Sequence, residues 1–579
     1  MVAINKNFFK TTLLAIILII SLVLNHNSDF WIGREYVYYQ LFLLIIFSAT
    51  LFTFSKEPLQ LGKTDFAVLL VLLYLSISRS LCLKSINEIH VISTFALIIY
   101  YISLKKIHLK YDAINVYYDY VVFIGVLLSI YCIIQYNGII ERTNYYWQVT
   151  GNFPNPGPLG GFIAIILSLA CCQLSQKVIL KKPLRLILYL LAVFLMVFVL
   201  ILSASRAAML AAVVTIVTII SYFTFKKWKY FKYFLFSSIP LLLFIFYSKG
   251  TDSVYGRLLI WKISFLSFLK NPLTGVGYNF FNVEYINSQA DYFSKGGTTK
   301  EILLAGANSQ AFNEFLKFIL ENGLLGIIII VIAGIWIFKS KQSLLIDHKE
   351  DFTLASLAVY LSFIVFAFFS FPLQFFPFKL ILLNQIAVRN YNPLDLQIKV
   401  NENFKKAVFC LMAASLILLI NFQYKGFHAS KSASELEYTN PDSSKTLYEY
   451  AENRLNNDGN FLLRYGNFLE DTDIDTALFL YEKAKKINNL PILYSKTANL
   501  YEKKQNYKSV ESNLLKLHFI QPHLFKPQEK LLEFYIRNGN LKNARFYANE
   551  ILKTPIKIKS KEVFLIKLKA KKYLIHSIY

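Results

Sequence analysis

Cysteine is scarce in this sequence, with five in 579 residues: Cys82, Cys132, Cys171, Cys172 and Cys410. All five fall inside long apolar stretches, so we expect packing residues and no disulfide framework. Charged residues are also few, at 17% of the chain, whereas 55% are apolar. That balance excludes a soluble protein of this size and predicts a membrane protein.

Apolar runs long enough to cross a bilayer recur throughout the first 421 residues. They predict about thirteen spans, near 8–24, 36–54, 66–83, 89–104, 116–134, 158–174, 184–203, 207–224, 233–247, 323–338, 352–371, 378–388 and 405–421. We expect the first run to remain as an uncleaved helix, because no small-residue cleavage site follows it. The predicted fold is all-α: a polytopic membrane helix bundle (1–421), a linker (422–440) and a C-terminal α-solenoid (441–579).

Lysine and arginine are concentrated in short loops, each separated from the next by two predicted spans. These residues are Lys105, Lys106 and Lys110, then Lys177, Lys181, Lys182 and Arg185, then Lys226, Lys227, Lys229 and Lys232. Positively charged loops stay in the cytoplasm, which places the N-terminus inside and both the loop 248–322 and the tail after 422 outside. Topology thus explains part of the net charge of +25, and nucleic acid is not an expected partner.

The polar tail contains a repeat. The stretches "GNFLEDTDIDTA" at 466, "ANLYEKKQNYKSV" at 498 and "LEFYIRNGNLKNA" at 532 align with one another, so that Leu469, Tyr501 and Tyr535 are equivalent. Each unit is predicted to be a helix, a polar turn and a second helix. The period and pattern resemble tetratricopeptide repeats, whose stacked helix pairs leave a concave face for a partner. A helical cap without a ligand is the alternative.

Two motifs lie at the ends of predicted spans on the external side. "GNFPNPGPLGGF" (151–162) precedes a span and predicts either a phosphate-binding helix N-terminus or a tight loop that binds nothing. "SASRAAMLAA" (203–212) places Arg206 among small residues. An arginine at such a position faces a polar cavity or reaches out to lipid headgroups.

The external loop begins with "GRLLIWKISFLSFLKNPLTGVG" (256–277), which predicts an amphipathic helix carrying Arg257 and Lys262. Gly275 and Gly277 give only a G-x-G, so a nucleotide fold is not supported. Guanidinium groups bind phosphate with two hydrogen bonds. We therefore expect Arg142, Arg206, Arg257 and Lys262 to bind a lipid-linked pyrophosphate at the outer membrane surface.

These motifs, followed by "FNEFLKFILENGLLG" (312–326), resemble in their order the O-antigen ligase and polymerase superfamily. The resemblance covers roughly 1–421, and it implies an inverting, periplasmic-facing glycosyltransferase of the bacterial inner membrane. It implies an undecaprenyl-pyrophosphate-linked glycan as donor, no metal and no nucleotide cofactor. Arg206 and Arg257 match the two essential arginines of the family.

One position departs from the family pattern. The family has His-Asn before a G-x-x-G, whereas this chain has Phe312 before Asn313, with Gly323 and Gly326 in place. No histidine lies in 248–322. We expect Glu314 or Glu321 to accept the proton of the attacking hydroxyl, with Asn313 as a hydrogen-bond partner. The alternatives are a Lys317–Glu321 pair on an interfacial helix and an inactive family member.

The expected function is transfer of a glycan to a hydroxyl acceptor, either lipid A-core or a protein that the tail recruits. An O-antigen polymerase is the first rival. A transporter or flippase is the second, although charges within the predicted spans are scarce and no pair of broken helices occurs in matching halves.

The loop charges predict the sidedness of the chain. Phosphatase and β-galactosidase reporters fused after Lys182, Gly297 and Gly459 should report inside, outside and outside. An intracellular Gly459 fusion would refute an external role for the tail.

Overall fold

The computed structural model describes residues 2–25, 34–83, 88–107, 111–140, 146–175, 182–225, 252–339, 349–389, 396–397 and 400–576. The predicted span 233–247 and Arg142 lie outside these residues. The described part is all-helical apart from one pair of two-residue strands, so the predicted all-α fold class is confirmed. Among the described cysteines, Cys132, Cys171, Cys172 and Cys410 form no disulfide bond.

The first half of the chain is a bundle of apolar helices. They are α1 (Val2–Val23), α2 (Arg34–Phe54), α3 (Lys63–Leu83), α4 (Glu88–Ile107), α5 (Tyr111–Tyr136), α6 (Pro156–Leu174), α7 (Pro183–Leu202) and α8 (Arg206–Phe225). Strand β1 (Gln60–Leu61) lies between α2 and α3 and pairs antiparallel with β2 (Leu396–Gln397). Helix α6 packs against α7 and α8 and is largely buried, because its small and apolar residues allow close approach.

The remaining helices form three groups: those of the predicted external loop (252–313, called the external region below), a second group of apolar helices (314–436) and the tail (from 437). They are α9 (Asp252–Phe268), α10 (Phe281–Ser294), α11 (Thr299–Leu304), α12 (Glu314–Lys339), α13 (Lys349–Phe369), α14 (Phe376–Arg389), α15 (Glu402–Leu436), α16 (Pro441–Leu455), α17 (Gly459–Leu469), α18 (Ile474–Ile487), α19 (Pro491–Lys503), α20 (Tyr507–Ile520), α21 (Phe525–Arg537), α22 (Leu541–Lys553) and α23 (Lys561–His576).

Seven helices within the described residues are long and apolar enough to cross a membrane: Glu35–Phe54, Ile89–Ile107, Ala113–Tyr136, Pro156–Leu174, Pro183–Leu202, Glu314–Trp336 and Glu402–Leu436. Shorter apolar helices cover Phe8–Val23, Arg206–Tyr222, Leu354–Phe369 and Phe376–Val388. These helices support a multi-pass membrane protein, and the number of thirteen spans stays a prediction.

Lys105 and Lys106 are not in a loop, as the sequence suggested, but in the last turn of α4, where both are buried. Burial is possible because each has a carboxylate partner: Lys105 lies 3.1 Å from Asp65, and Lys106 pairs with Glu402 at the start of α15. A buried charge requires such a partner. The N-terminal helix joins the same end of the bundle, since Lys10 Nζ donates to the Ile107 carbonyl at 2.8 Å.

The opposite end of the bundle carries the external region, and a backbone-to-backbone contact fixes it there. Helix α12 is kinked at Gly323, and the segment 271–277 lies against the kink. Val276 and Gly277 donate to the carbonyls of Leu320 and Glu321 at 3.1 and 2.7 Å. Beyond the kink, Leu324 donates to Pro272 at 2.8 Å and Leu325 to Leu273 at 3.0 Å. The motifs "NPLTGVG" (271–277) and "ENGLLG" (321–326) thus form one backbone contact, which we call the joint.

Helix α15 runs without interruption from the membrane bundle into the tail. Its 35 residues give a length of roughly 52 Å, against a hydrocarbon core of about 30 Å. Residues 422–436, which we expected to be a linker, therefore continue this helix. The tail is attached through a helix rather than through a separate connecting segment.

The tail is a series of helices that pack on their sequence neighbours. The first helices of successive pairs, α17, α19 and α21, begin at Gly459, Pro491 and Phe525, which repeats the 32- and 34-residue offsets seen in the sequence. The second helices are capped by Asp473, Asn506 and Asn540, whose side chains accept a backbone N–H three residues later. The polar turns of the repeat are thus helix N-caps, and the tetratricopeptide assignment stays a prediction.

The tail packs directly on the external region. Tyr494, Leu517 and Ile520 of the tail share an apolar cluster with α9 and α10. Gln289 Nε2 donates to the Ile520 carbonyl at 2.6 Å. Both regions therefore lie at the same end of the bundle, and the external location of the tail stays a prediction.

The joint at Gly323 can be tested by adding one methyl group. Gly323 has φ of +61°, and a Cβ there would lie 2.4 Å from the Leu273 carbonyl oxygen. We expect Gly323→Ala to lower the thermal stability of the purified protein, because positive φ with ψ of −163° costs a residue other than glycine about 1–3 kcal/mol and the added Cβ displaces segment 271–277.

Gly334→Ala in the same helix is the matched control. A Cβ at Gly334 meets nothing within 4 Å. We expect it to leave stability unchanged or raised, because alanine favours a helix interior over glycine by about 1 kcal/mol. Equal melting temperatures for the two variants would contradict the proposed importance of the joint.

Candidate functional site

The first two external motifs are packed against each other. A Cβ on Gly160 of α6 would lie 2.8 Å from Ser205 Cβ and 2.9 Å from Ser203 Oγ, so only glycine allows this approach. Asn155 caps the N-terminus of α6, since its Oδ1 accepts from the Gly157 N–H at 3.0 Å. Of the two predictions for this motif, the contacts favour the tight loop. Its role is to hold the start of α8, where Arg206 is the first residue.

Arg206 and Arg257 approach each other from different helices. Arg257 projects from α9, and its guanidinium carbon lies 5.3 Å from the ring centre of Phe312. Burial lowers the pKa of Arg257, and the positive charge of Arg206 lowers it further. Among the residues that the structure describes, no carboxylate lies within ion-pair distance of Arg257. An arginine stays charged in proteins, so this position favours an anionic ligand.

Phe312, which occupies the position of the family histidine, contacts Arg257 instead of carrying a proton. Its ring also packs edge-on against Phe371, with 5.4 Å between the ring centres. A cation held over an aromatic face is attracted by the ring quadrupole. Phe312 therefore forms an aromatic surface against which Arg257 lies.

The three residues expected to be catalytic have structural partners. Asn313 caps α12, because its Oδ1 accepts from the Leu316 N–H at 3.0 Å. Glu314 is buried, and its Oε1 accepts from the Leu373 N–H at 2.8 Å. Glu321 is 1% exposed, and its Oε1 accepts from the Phe281 N–H at 3.2 Å, at the start of α10. These contacts favour positioning roles, most clearly for Asn313 and Glu321.

A cavity of about 770 Å³ lies beside this segment, between the membrane bundle, the external region and the tail. Lys317 and Lys379 line it, and both interact electrostatically with Glu314. Tyr278 also lines it. Burial raises the pKa of Tyr278, and the charges of Glu321 and Glu314 raise it further. The two carboxylates thus lie just behind the cavity wall.

His90 was missed by the sequence reasoning, which searched for a histidine only in the external loop. It lies in the first turn of α4 and lines the cavity, where its Nε2 contacts Nδ2 of Asn279. The contact spans 189 positions in the chain, so no local pattern indicates it. The sequence signal that was available is the position of His90 at the external end of a predicted span.

The structure does not bring all predicted ligands together. Lys262 pairs with other residues of the external region instead: its Nζ lies 2.8 Å from Glu301 Oε1 and 2.7 Å from the Tyr292 hydroxyl. The hydrogen bond to Glu301 raises the pKa of Lys262. Arg142 lies outside the described residues. Within the residues described, no group of three or more His, Cys, Asp or Glu side chains is arranged to hold a metal ion.

Backbone strain is concentrated around the site. Four non-glycine residues in the described chain have positive φ, and three of them belong to this region: Ala204 at +49°, Asn279 at +59° and Phe312 at +52°. Each such residue costs of order 1–3 kcal/mol, and it persists only where the surroundings impose it. Ala204 lies two positions before Arg206, Asn279 contacts His90, and Phe312 contacts Arg257.

A comparison with known protein families matches the part of the chain that contains this site. A family model described as O-Antigen ligase matches residues 191–331, from within α7 to within α12. The match includes Arg206, Arg257 and the joint at Gly323, and it supports the O-antigen ligase superfamily for this chain. That family acts on lipid-linked polysaccharide in a membrane, so a ligase- or polymerase-type glycan function is supported. A comparison with curated proteins gives no match.

Proposed function

We propose that the protein transfers a glycan from an undecaprenyl-pyrophosphate carrier to a hydroxyl acceptor at the outer face of the cytoplasmic membrane. The observation that supports this most directly is the pair Arg206 and Arg257, which lie close together at one end of the membrane bundle. Lipid A-core, a protein and a growing polysaccharide all offer such a hydroxyl. The tail, lying at the same end of the bundle, would contact the acceptor.

In the reaction, the acceptor oxygen forms a bond to the anomeric carbon while the bond from that carbon to the pyrophosphate oxygen breaks. Negative charge then accumulates on the leaving lipid pyrophosphate. Arg206 and Arg257 stabilise that charge, and the partial burial of Arg257 strengthens the interaction. The attack comes from the opposite face of the sugar, so the anomeric configuration inverts, and no step requires a metal ion.

The acceptor proton must go to a base that a ligand can reach. His90 lines the cavity, whereas Glu314 and Glu321 lie behind its wall and are held by backbone N–H groups. We propose His90 as the proton acceptor: with the Asn279 amide oriented so that its Oδ1 accepts from the Nε2–H of His90, Nδ1 carries the lone pair that takes the proton. In this assignment Glu314 holds the loop at Leu373, and Glu321 holds the start of α10.

The arginine pair is tested by substitution. Arg206→Ala and Arg257→Ala should each lower transfer by about 10²–10³-fold, as expected for loss of one charge-stabilising donor. Lysine at either position should rescue poorly, because a point charge lacks the two-pronged donor geometry. Transfer is measured in membranes with purified lipid-linked donor, after normalising for protein level.

Arg537→Ala is the matched control. Arg537 is 59% exposed on the tail and pairs with Glu502 at 3.0 Å, so its loss should leave transfer unchanged. Full activity of both lysine variants would mean that Arg206 and Arg257 act as lipid anchors rather than as pyrophosphate ligands.

The base assignment is tested by comparing amide variants. His90→Gln should lower the rate by about 10²–10⁴-fold, the usual contribution of general-base catalysis. It should also remove the acidic limb of the pH–rate profile, because activity no longer falls as an imidazole becomes protonated. Glu321→Gln should mainly lower thermal stability. A wild-type profile in His90→Gln, together with a large loss of rate in Glu314→Gln, would assign the base to Glu314 instead.

A further inference from the structure

The cavity next to the site is bounded on three sides by different parts of the chain. The membrane bundle contributes His90 and Lys379, the external region contributes Asn282 and Gln310, and the tail contributes further residues such as Asn467. No single domain contains it. Its volume of about 770 Å³ lies in the range of about 300–1,000 Å³ that is typical of ligand pockets.

The lining is rich in side-chain amides. Seven of the lining residues are asparagine or glutamine, while the formally charged ones comprise three cations and two carboxylates, apart from His90. An amide offers both donors and acceptors, as a hydroxyl group does. The near balance of charge disfavours a phosphate-rich ligand, and the abundance of amides favours one rich in hydroxyl groups.

A chain of asparagines crosses the junction between loop and tail. Asn282 Nδ2 of α10 donates to Asn488 Oδ1 at 2.8 Å, and Asn488 Nδ2 donates to Asn460 Oδ1 of α17 at 3.2 Å. All three residues line the cavity, and these bonds fix their amides in its wall, where amide groups can donate to and accept from hydroxyl groups.

Two common modes of peptide binding do not account for the lining. None of the lining residues lies in a described strand, so a peptide cannot be added as a strand there, and Arg464 is the only arginine among them, so no arginine cluster is present for an acidic motif.

We infer that this cavity binds the acceptor, and that the acceptor is an oligosaccharide. The segment 309–317 borders both sites: Ser309, Gln310 and Lys317 face the cavity, while Phe312 contacts Arg257. A glycan in the cavity therefore lies beside the pyrophosphate site. Only the name "acceptor" rests on the proposed function; the binding of a glycan does not.

The test measures binding apart from transfer. The probe is the oligosaccharide fraction released by mild acid from the surface glycolipids of the source cells and freed of lipid. Its dissociation constant is measured on the full-length protein in lipid nanodiscs. The same fraction after periodate oxidation, which destroys vicinal diols, is the ligand control. We expect saturable binding of the first and none of the second.

Two variants change opposite walls of the cavity. Leu463→Trp in α17 fills space without removing a polar group and should raise the dissociation constant at least tenfold. Gln310→Ala in the external region should raise it several-fold. Leu565→Trp, at a 51% exposed position in α23, is the matched control and should bind as wild type. Thermal unfolding of all three variants shows whether the tail remains folded.

The outcomes separate the inference from the proposed function. Binding that persists in the Arg206→Ala/Arg257→Ala double variant supports a site distinct from the pyrophosphate site. Glycan binding without transfer from a lipid-linked donor would refute the proposed function and leave the glycan site. No saturable binding to the wild type, wild-type affinity in both wall variants, or binding of a serine-rich peptide in place of the glycan would overturn the inference.

Discussion

The contact between segment 271–277 and the kinked helix α12 is the constraint on which the site depends. It is made of backbone atoms: a Cβ at Gly275 would lie 2.5 Å from the Glu321 carbonyl, and one at Gly323 would lie 2.4 Å from the Leu273 oxygen. From this joint the chain runs back to α9, which carries Arg257, and forward to α10, on which the tail rests. A shift of the joint would therefore move the arginine and the tail together.

Charge is distributed unevenly across the two faces of segment 309–317. On one face, Arg257 lies over an aromatic ring and near another arginine, so positive charge is concentrated there. On the other, Lys317 and Lys379 interact with the buried carboxylates, so their charges are largely balanced. An anion is favoured on the first face and a neutral, hydrogen-bonding ligand on the second. Under the proposed function, this asymmetry lets the protein bind a charged pyrophosphate donor beside a neutral hydroxyl acceptor.

The sequence predicted the features that depend on local pattern. Apolar runs predicted the membrane helices, the repeat offsets reappear in the starts of α17, α19 and α21, and Arg206 and Arg257 were chosen together. The sequence did not predict the features that depend on tertiary contacts. Lys262 was grouped with Arg257 although five positions separate them, which is roughly 140° around a helix. Lys105 and Lys106 were read as loop charges because their partners, Asp65 and Glu402, lie 40 and 296 positions away.

The candidate base likewise depends on a tertiary contact and not on a local motif. A local motif assigns the base to the residue before Asn313, but chemistry requires only that some base reach the acceptor. His90 enters from a helix more than 200 residues earlier, and its partner Asn279 holds a strained backbone conformation at the point of contact. Phe312 meanwhile keeps a left-handed φ and serves Arg257. Under the proposed function, a phenylalanine at position 312 therefore does not by itself remove the capacity for proton transfer.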